Sequence, residues 1–353
     1  MEMNGSDFLF EGDWTDGKGP HSGIAVSTRV RLARNLASRR FPTHPDQSDR
    51  REVLEEIRSA ITSLPDGDKY VWCELDERLP LERRLLMERH LISRELADGN
   101  GPRAVAVNPS ESLAIMINEE DHLRMQCLMS GLSVHEAYER VNRLDDQLSE
   151  RLEFAYSDVY GYLTSCPTNV GTGLRVSVML HLPALVMTRH IERVFRAVYE
   201  MRMAVRGFYG EGTEAFGELY QISNQITCGR QEMDIIDDME AVISAIIQYE
   251  EKARAELASS ERSQLEDRVW RSWGLLQNAR MMSSEEAMRH LSSLRLGIAM
   301  GVFDNIDMPE LERLFLFTQP AHLQRMEGRE LESSDRDVAR AQFLRRRLGA
   351  EAN

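Results

Sequence analysis

Lysine is almost missing from this chain. Only Lys18, Lys69 and Lys252 occur, and the other 40 of its 43 basic residues are arginine. A P-loop of the G-x-x-x-x-G-K-[ST] kind needs a lysine, and so does the phosphate-binding strand of a protein-kinase fold. None of the three lysines stands in such a setting, and no H-R-D or D-F-G set is present, which excludes both designs. Cysteine is scarce as well: Cys73, Cys127, Cys166 and Cys228 are scattered, with no C-x-x-C. That argues against a disulfide frame or a zinc ribbon and fits a reducing, cytoplasmic setting. No run of eighteen apolar residues exists, so neither a membrane span nor a membrane partner is expected. Residues 1–19 are acidic and polar and lack the apolar core of a signal peptide. The nine histidines show no metal-ligand spacing, so no metal held by protein side chains is expected. Positive charge is outweighed overall, and a net charge of −15 disfavours nucleic acid as a partner.

What the chain does have is arginine in company. Four segments set it beside a tight turn, a carboxylate or a thiol. They are Ser27-Thr28-Arg29-Val30-Arg31, Asn118-Glu119-Glu120-Asp121-His122-Leu123-Arg124, the stretch from Cys166-Pro167-Thr168-Asn169 through Gly171 and Gly173 to Arg175, and Arg206-Gly207-Phe208-Tyr209-Gly210-Glu211. A guanidinium suits phosphate because its fork makes two parallel charged hydrogen bonds and never loses its proton near neutrality. Taken singly the segments are weaker. Glu119 to Asp121 follow an apolar strand, where charged residues commonly turn to solvent, but Arg124 continues on the next apolar run. Gly171 and Gly173 let backbone approach a ligand, yet they also serve plain turns. An isolated cysteine is more often inert than reactive; Cys166 precedes a polar turn nine residues from Arg175, where a partly ionised thiol is plausible. Near the end, Asp335-Arg336-Asp337-Val338-Ala339-Arg340-Ala341 opens a helix with Arg336 and Arg340 on one face, which by itself reads as a charged surface helix.

The periodicity predicts helices over 50–64, 80–96, 133–155, 183–205 and 231–258, with Ser133 and Glu136 forming a capping box for the third. Residues 103–108 and 112–118 read as a hairpin, with further strands over 122–129, 174–182 and 217–227. After Ser259-Ser260 the pattern is purely helical, over 261–277, 284–297, 308–316 and 334–348. The expected layout is an irregular lead-in (1–25), an α+β domain with an antiparallel sheet (26–258) and a small all-helical domain (259–353).

In this order, the arginine segments resemble the hallmarks of the ATP:guanido phosphotransferase, or phosphagen kinase, family: S-[ST]-R-x-R, N-E-E-D-H-L-R and C-P-[ST]-N-x-G-T. Arg29 to Asn35, Arg206 to Ala215, Tyr220 to Ile226, and the helical pieces around Glu286, Leu294 and Thr318 are similar to its bacterial protein arginine kinase branch, the McsB type. The resemblance covers roughly residues 20–348. It implies transfer of the γ-phosphoryl of ATP to arginine side chains of proteins, marking them for Clp-type proteolysis, with Mg²⁺ held mainly by the nucleotide phosphates. It maps Arg29, Arg31, Arg124, Arg175 and Arg206 onto a phosphate cage. Ser27, Thr28, Val30, His90, Val176, Ser177, Val178, Met179, Gly207, Phe208, Tyr209, Gly210 and Glu211 complete the implied ATP site. Glu120 is assigned as the group that orients the acceptor nitrogen and takes its proton, Glu211 as the carboxylate on its other side, and Cys166 as a thiolate contact. Arg336, Asp337 and Arg340 resemble the branch's phosphoarginine-binding motif, with an allosteric role. The implied partners are proteins with exposed arginines, a Clp-type unfoldase or protease, an activator protein, and further copies of the chain in a homodimer or larger assembly. Ordinary members carry a helical domain before the catalytic one, whereas about 25 residues precede Ser27 here, and a site lacking that wall would admit an arginine on a protein surface. The rival readings are a kinase of small free guanidines and a catalytically silent phosphoarginine-binding adaptor.

Overall fold

The computed structural model describes residues 12–42, 46–207 and 216–349. Strand β1 (Ala25–Arg34) buries Thr28, Val30 and Leu32 and turns Ser27, Arg29 and Arg31 the other way, the period of two that strand pleating imposes. Helix α1 (Gln47–Thr62) starts where the Asp46 side chain accepts the Ser48 N–H, and it buries Val53, Leu54, Ile57 and Ile61. The edge strand β2 (Val71–Glu74) was not anticipated. The predicted helix over 80–96 divides into α2 (Pro80–Glu88) and α3 (Arg94–Asp98). Between them His90 takes a left-handed conformation (φ 60°), and the Ser93 hydroxyl accepts the Leu96 N–H to start the second piece. Strands β3 (Ala104–Val107) and β4 (Leu113–Ile117) form the expected hairpin, followed by β5 (Leu123–Ser130).

Helix α4 (Val134–Ser149) is shorter than predicted. The Ser133 hydroxyl donates to Ser130 O instead of closing a capping box. Beyond the helix the chain turns back, so that Ala155 N–H meets Asn35 O and Phe154 bridges to Leu36. The two-residue strands β6 (Tyr156–Ser157) and β7 (Gly161–Tyr162) pair with each other, and β8 (Leu174–His181) follows. The predicted helix over 183–205 is three elements, α5 (Pro183–Met187), α6 (Ile191–Glu200) and strand β9 (Met203–Gly207). Arg189 and Arg202, both left-handed at φ 58° and 56°, make the breaks. Strand β10 (Leu219–Asn224) pairs with β8 and β9, and the long α7 (Glu232–Ser260) closes this part. Then come α8 (Arg262–Asn278), α9 (Ser284–Ala299), α10 (Met308–Phe317), α11 (Pro320–Glu327) and α12 (Ser333–Leu348). Of these α11 was not predicted, although Pro320 is a first-turn proline.

The eight-stranded sheet runs β2-β3-β4-β5-β1-β8-β10-β9, and every pairing in it is antiparallel. One face carries the main core, where Val30, Leu32, Val176, Val178 and Ile222 pack under α1, α4 and α7. On the other face α2 and α3 cover only the β2–β4 end. The middle of that face, over β5, β1, β8, β10 and β9, is where the arginines stand. The C-terminal helices form their own core around Val269, Leu291, Leu294, Leu311 and Leu344.

Candidate active site

Strand pairing carries the arginine face of β1 across its neighbours. Arg31 stands opposite Arg175 on β8 and Gln126 on β5, and Arg29 stands opposite Ser177. Ser27 lies opposite Met179, Met179 opposite Gln221, and Gln221 opposite Arg206. Arg124 is the register partner of Ala33, so it shares the same face. Residues far apart in sequence thus gather around one cavity of about 660 Å³. Its lining includes all five arginines with His90, Glu119, Glu120 and Cys166.

The charges in it are unbalanced. Among the described residues, Arg124 has carboxylate partners while Arg29, Arg31, Arg175 and Arg206 have none within ion-pair distance. Arg29 donates to the neutral Gln221 Oε1 at 3.4 Å. Burial and then the neighbouring Arg175 and Arg124 lower the Arg29 pKa to about 10. Burial, with Arg29, Arg124 and Arg175 around it, pushes Arg31 well below its ordinary value. Arg175 is lowered by burial and by Arg206 and Arg124. Arg124 goes the other way: burial opposes its charge, but Glu119, Asp121 and Glu120 outweigh it and raise the pKa. His90 is depressed to about 4 by burial and by Arg29, so it is neutral near pH 7. A multiply charged anion placed among crowded, desolvated cations of this kind would relieve their repulsion.

The carboxylates divide their labour. The Glu119 side chain is 1% exposed, pairs with Arg124 Nη1 and accepts the Ser93 hydroxyl, so it is locked. The Glu120 side chain is 44% exposed and holds Arg124 Nη2 at 2.5 Å, which leaves it facing the cavity. Asp121 is fully buried and accepts from Asn35 Nδ2 and Ser165 N–H, both at 2.7 Å. It therefore ties the start of β5 to the loop that carries Cys166. His122 accepts the Leu36 N–H at its Nδ1, and burial lowers its pKa to about 4. The turn itself needs Asn118 left-handed (φ 58°), a conformation asparagine tolerates, with its side-chain amide donating to Arg50 O and Pro102 O. Cys166 is partly exposed at the rim, with its Sγ 3.0 Å from Thr168 Oγ1.

A second, narrower cavity of about 170 Å³ adjoins the first and shares Arg29, His90 and Gln221 with it. Ser27, Ser177, Met179 and Gly207 line it. Thr28, Val30, Val176 and Val178 do not: their side chains lie on the opposite face of their strands and are fully buried. Phe208, Tyr209, Gly210 and Glu211 lie outside the described residues.

The C-terminal motif separates into two environments. Arg336 lines a cavity of about 440 Å³ between α2 and the starts of α9, α11 and α12, and it donates to Leu331 O at 2.7 Å. Arg340 is fully buried and donates to Thr318 O, Met282 O, Ser284 Oγ and Asp337 Oδ1. It is an internal clamp joining α12 to α9 and α10, and Asp337 is its partner. Sequence reasoning passed over Asn35 and Asp121 as tethers, Gln221 as a lining residue and Trp14 beside His90. The last two carried a signal, a glutamine alternating with apolar residues and a tryptophan in an acidic lead-in.

A cavity lined by five arginines over an antiparallel sheet, beside an exposed carboxylate, suits phosphoryl transfer. Residues 52–253 match the catalytic domain of ATP:guanido phosphotransferases, and residues 262–353 match the C-terminal domain of the protein-arginine kinase McsB. The chain belongs to the ATP:guanido phosphotransferase family and is an ATP-using kinase. It is 47% identical over 343 residues to a protein-arginine kinase of Symbiobacterium thermophilum, covering 96% of this chain and 97% of that one. It is 42% identical over 342 residues to a protein-arginine kinase of Bacillus subtilis, covering 96% and 94%. Among solved structures, lombricine kinase superposes with a TM-score of 0.60 at 25% identity, covering 72% of each chain. No helix among the described residues is long and apolar enough to cross a membrane.

Proposed function

We propose that this chain transfers the γ-phosphoryl group of ATP to the guanidinium group of arginine side chains in proteins. The carrying observation is the convergence on one cavity of the partly free Glu120 and four arginines that have no carboxylate partner among the described residues. The near full-length likeness to protein-arginine kinases supports the choice of acceptor. Phosphoryl transfer of this type depends on positioning and on neutralising charge spread over the migrating group. Arg29, Arg31, Arg175 and Arg206 hold the phosphates, while Arg124 ties the cage to the carboxylates. Mg²⁺ would add charge neutralisation on the phosphate oxygens, held chiefly by them. Glu119 is sealed against Arg124 and Ser93, whereas Glu120 holds Arg124 with one oxygen and stays 44% exposed, so among the described residues it is the carboxylate placed to meet an acceptor.

The acceptor is reluctant, because a guanidinium keeps its proton and has no free lone pair. Glu120 accepts a hydrogen bond from one N–H of the acceptor and so turns that nitrogen toward the phosphorus. As the new N–P bond forms and the bond from the γ-phosphorus to the bridging oxygen breaks, that proton passes to the Glu120 carboxylate and ADP leaves. Glu120→Gln keeps the shape and removes the base, and we expect protein phosphorylation to fall by about a hundredfold or more. Incubation with ATP and either casein or free arginine, read as acid-labile phosphate, measures this; near-normal turnover of the variant removes the assigned role. Label on casein separates protein arginine from a small guanidine, and label on neither leaves a silent adaptor.

In the same reading the cavity at Arg336 takes phosphoarginine, and its occupancy biases the kinase. Modified proteins would then be handed to a Clp-type protease, in the cytoplasm, with an activator protein and further copies of the chain as partners.

A further inference from the structure

We propose that the C-terminal helices, together with Trp14 from the lead-in, complete the nucleoside-binding slot, so that ATP is held across both parts of the chain. The inference rests on reading the arginine-lined cavity as the triphosphate site. A nucleotide whose phosphates occupy that cavity must place its base and sugar in contiguous space. The adjoining 170 Å³ cavity meets that need, because Arg29, His90 and Gln221 line both.

The catalytic sheet supplies only one side of this slot. Ser177 and Met179 of β8 and Leu128 of β5 line it from the sheet, while Met288 of α9, Phe315 and Leu316 of α10 and the adjacent Gln319 line it from the helical part. Most of the exposed lining surface is apolar, with Ser27, Ser177, Gln221 and Gln319 as polar groups and Arg29, Glu88, Arg295 and Glu312 as charged ones, a make-up that suits a flat heterocycle with polar edges. His90, kept neutral by burial and by Arg29, packs edge to face on Trp14 with ring centroids 5.2 Å apart, adding aromatic surface.

The far wall is fixed in place rather than resting there. Glu88 at the end of α2 accepts the N–H groups of Ala321 and His322 at 2.7 and 3.1 Å and pairs with His322 Nδ1 at 2.7 Å. Buried Arg295 pairs with Glu312 and donates to Ser22 O, just before β1. Gln319 donates to Phe315 O at 2.9 Å, which holds the end of α10 against the slot. Phe315, Leu316 and Gln319 are therefore specificity-determining residues for the nucleotide, contributed by a part of the chain outside the catalytic sheet.

The test uses the full chain with Phe315→Ala, and with Phe315→Leu as the milder change should alanine unfold the helical core. The expected result is an ATP KM raised about fivefold or more, the weakening that loss of an aromatic contact to a base produces. At saturating ATP, kcat and the KM for a protein acceptor stay within about twofold, since neither cage nor acceptor site is touched. A folded variant with an unchanged ATP KM overturns the proposal. Hydrogen exchange on the unmodified protein gives a second reading: Mg-ATP should slow the amides of residues 315–319, and identical exchange with and without nucleotide also overturns it. Protection of those amides in a protein that phosphorylates no arginine would leave this inference standing and remove the acceptor reading instead.

Discussion

Arg31 shows what the cage costs the free enzyme. Its guanidinium is half-buried in the cavity beside Arg29, Arg124 and Arg175, and desolvation followed by their repulsion drives its pKa down. In the absence of a polyanion, such a charge destabilises the fold that holds it, because desolvation and like-charge repulsion act in the same direction. Replacing it by an apolar side chain of similar length relieves both terms. We expect Arg31→Met to stabilise the nucleotide-free protein by roughly 1–2 kcal/mol, a trade of the kind functional sites commonly show. Phosphoryl transfer should fall by about a hundredfold or more, since one positioned charge is removed from the developing transition state. Thermal unfolding with and without Mg-ATP measures both sides. The variant should melt higher than the parent without nucleotide and gain less from it. A lower melting temperature in the free state would show that the cage is not under electrostatic strain. Glu119 and Glu120 make the same point with opposite charge: adjacent in sequence and identical in type, they differ in role because one is sealed and the other is 44% exposed.

At the scale of elements, strand alternation does most of the work. Ser27, Arg29 and Arg31 reach one face of β1 while Thr28, Val30 and Leu32 reach the other, and β8 repeats the pattern with Arg175, Ser177 and Met179. The turn that delivers β8 is equally demanding. Gly173 has φ 65°, and a Cβ there would stand 2.6 Å from Ala33 O and 2.7 Å from Arg34 Nη1, a side chain itself pinned by Asp145. Gly173→Ala should therefore cost on the order of 1–3 kcal/mol of stability. It should also lower kcat more than it raises the ATP KM, because Arg175 follows two residues later; equal melting and kinetics in the variant would refute this account. The arginine segments were readable in the sequence because a period of two combined with runs of one charge type leaves few arrangements. Thr28, Val30, Val176 and Val178 alternate with these residues on the same strands, and the pleat turns their side chains to the buried face. The helix breaks at His90, Arg189 and Arg202 were not readable, since a left-handed non-glycine residue is held by tertiary contacts and leaves no local pattern. Arg336 and Arg340, four residues apart on α12, read as one binding pair, yet burial makes Arg340 a clamp and leaves Arg336 on the cavity.

For the whole molecule, the decisive residue is Glu88. It lines the narrow slot beside the arginine cage and also the 440 Å³ cavity at Arg336, and Met288 and Gln319 are shared in the same way. The two cavities are thus opposite sides of one wall, built from the end of α2, the start of α11 and the side of α9. A ligand in one that favours a particular seating of that wall changes the affinity of the other by the same factor, as linkage requires. The Glu88 carboxylate is what ties the wall together, through Ala321 N–H, His322 N–H and His322 Nδ1. Removing it should uncouple the cavities before it harms the chemistry, because no cage arginine bonds to it. We expect free phosphoarginine to change the ATP dissociation constant of the parent by about fivefold or more, in the range of ordinary allosteric coupling. In Glu88→Ala the same addition should change it by less than about twofold, while phosphoarginine still binds at Arg336. Calorimetric titration of Mg-ATP with and without saturating phosphoarginine, on parent and variant, decides the matter. Equal coupling in both proteins would mean that the signal travels by another route, and loss of phosphoarginine binding in the variant would place Glu88 in that site rather than in the wall between the two.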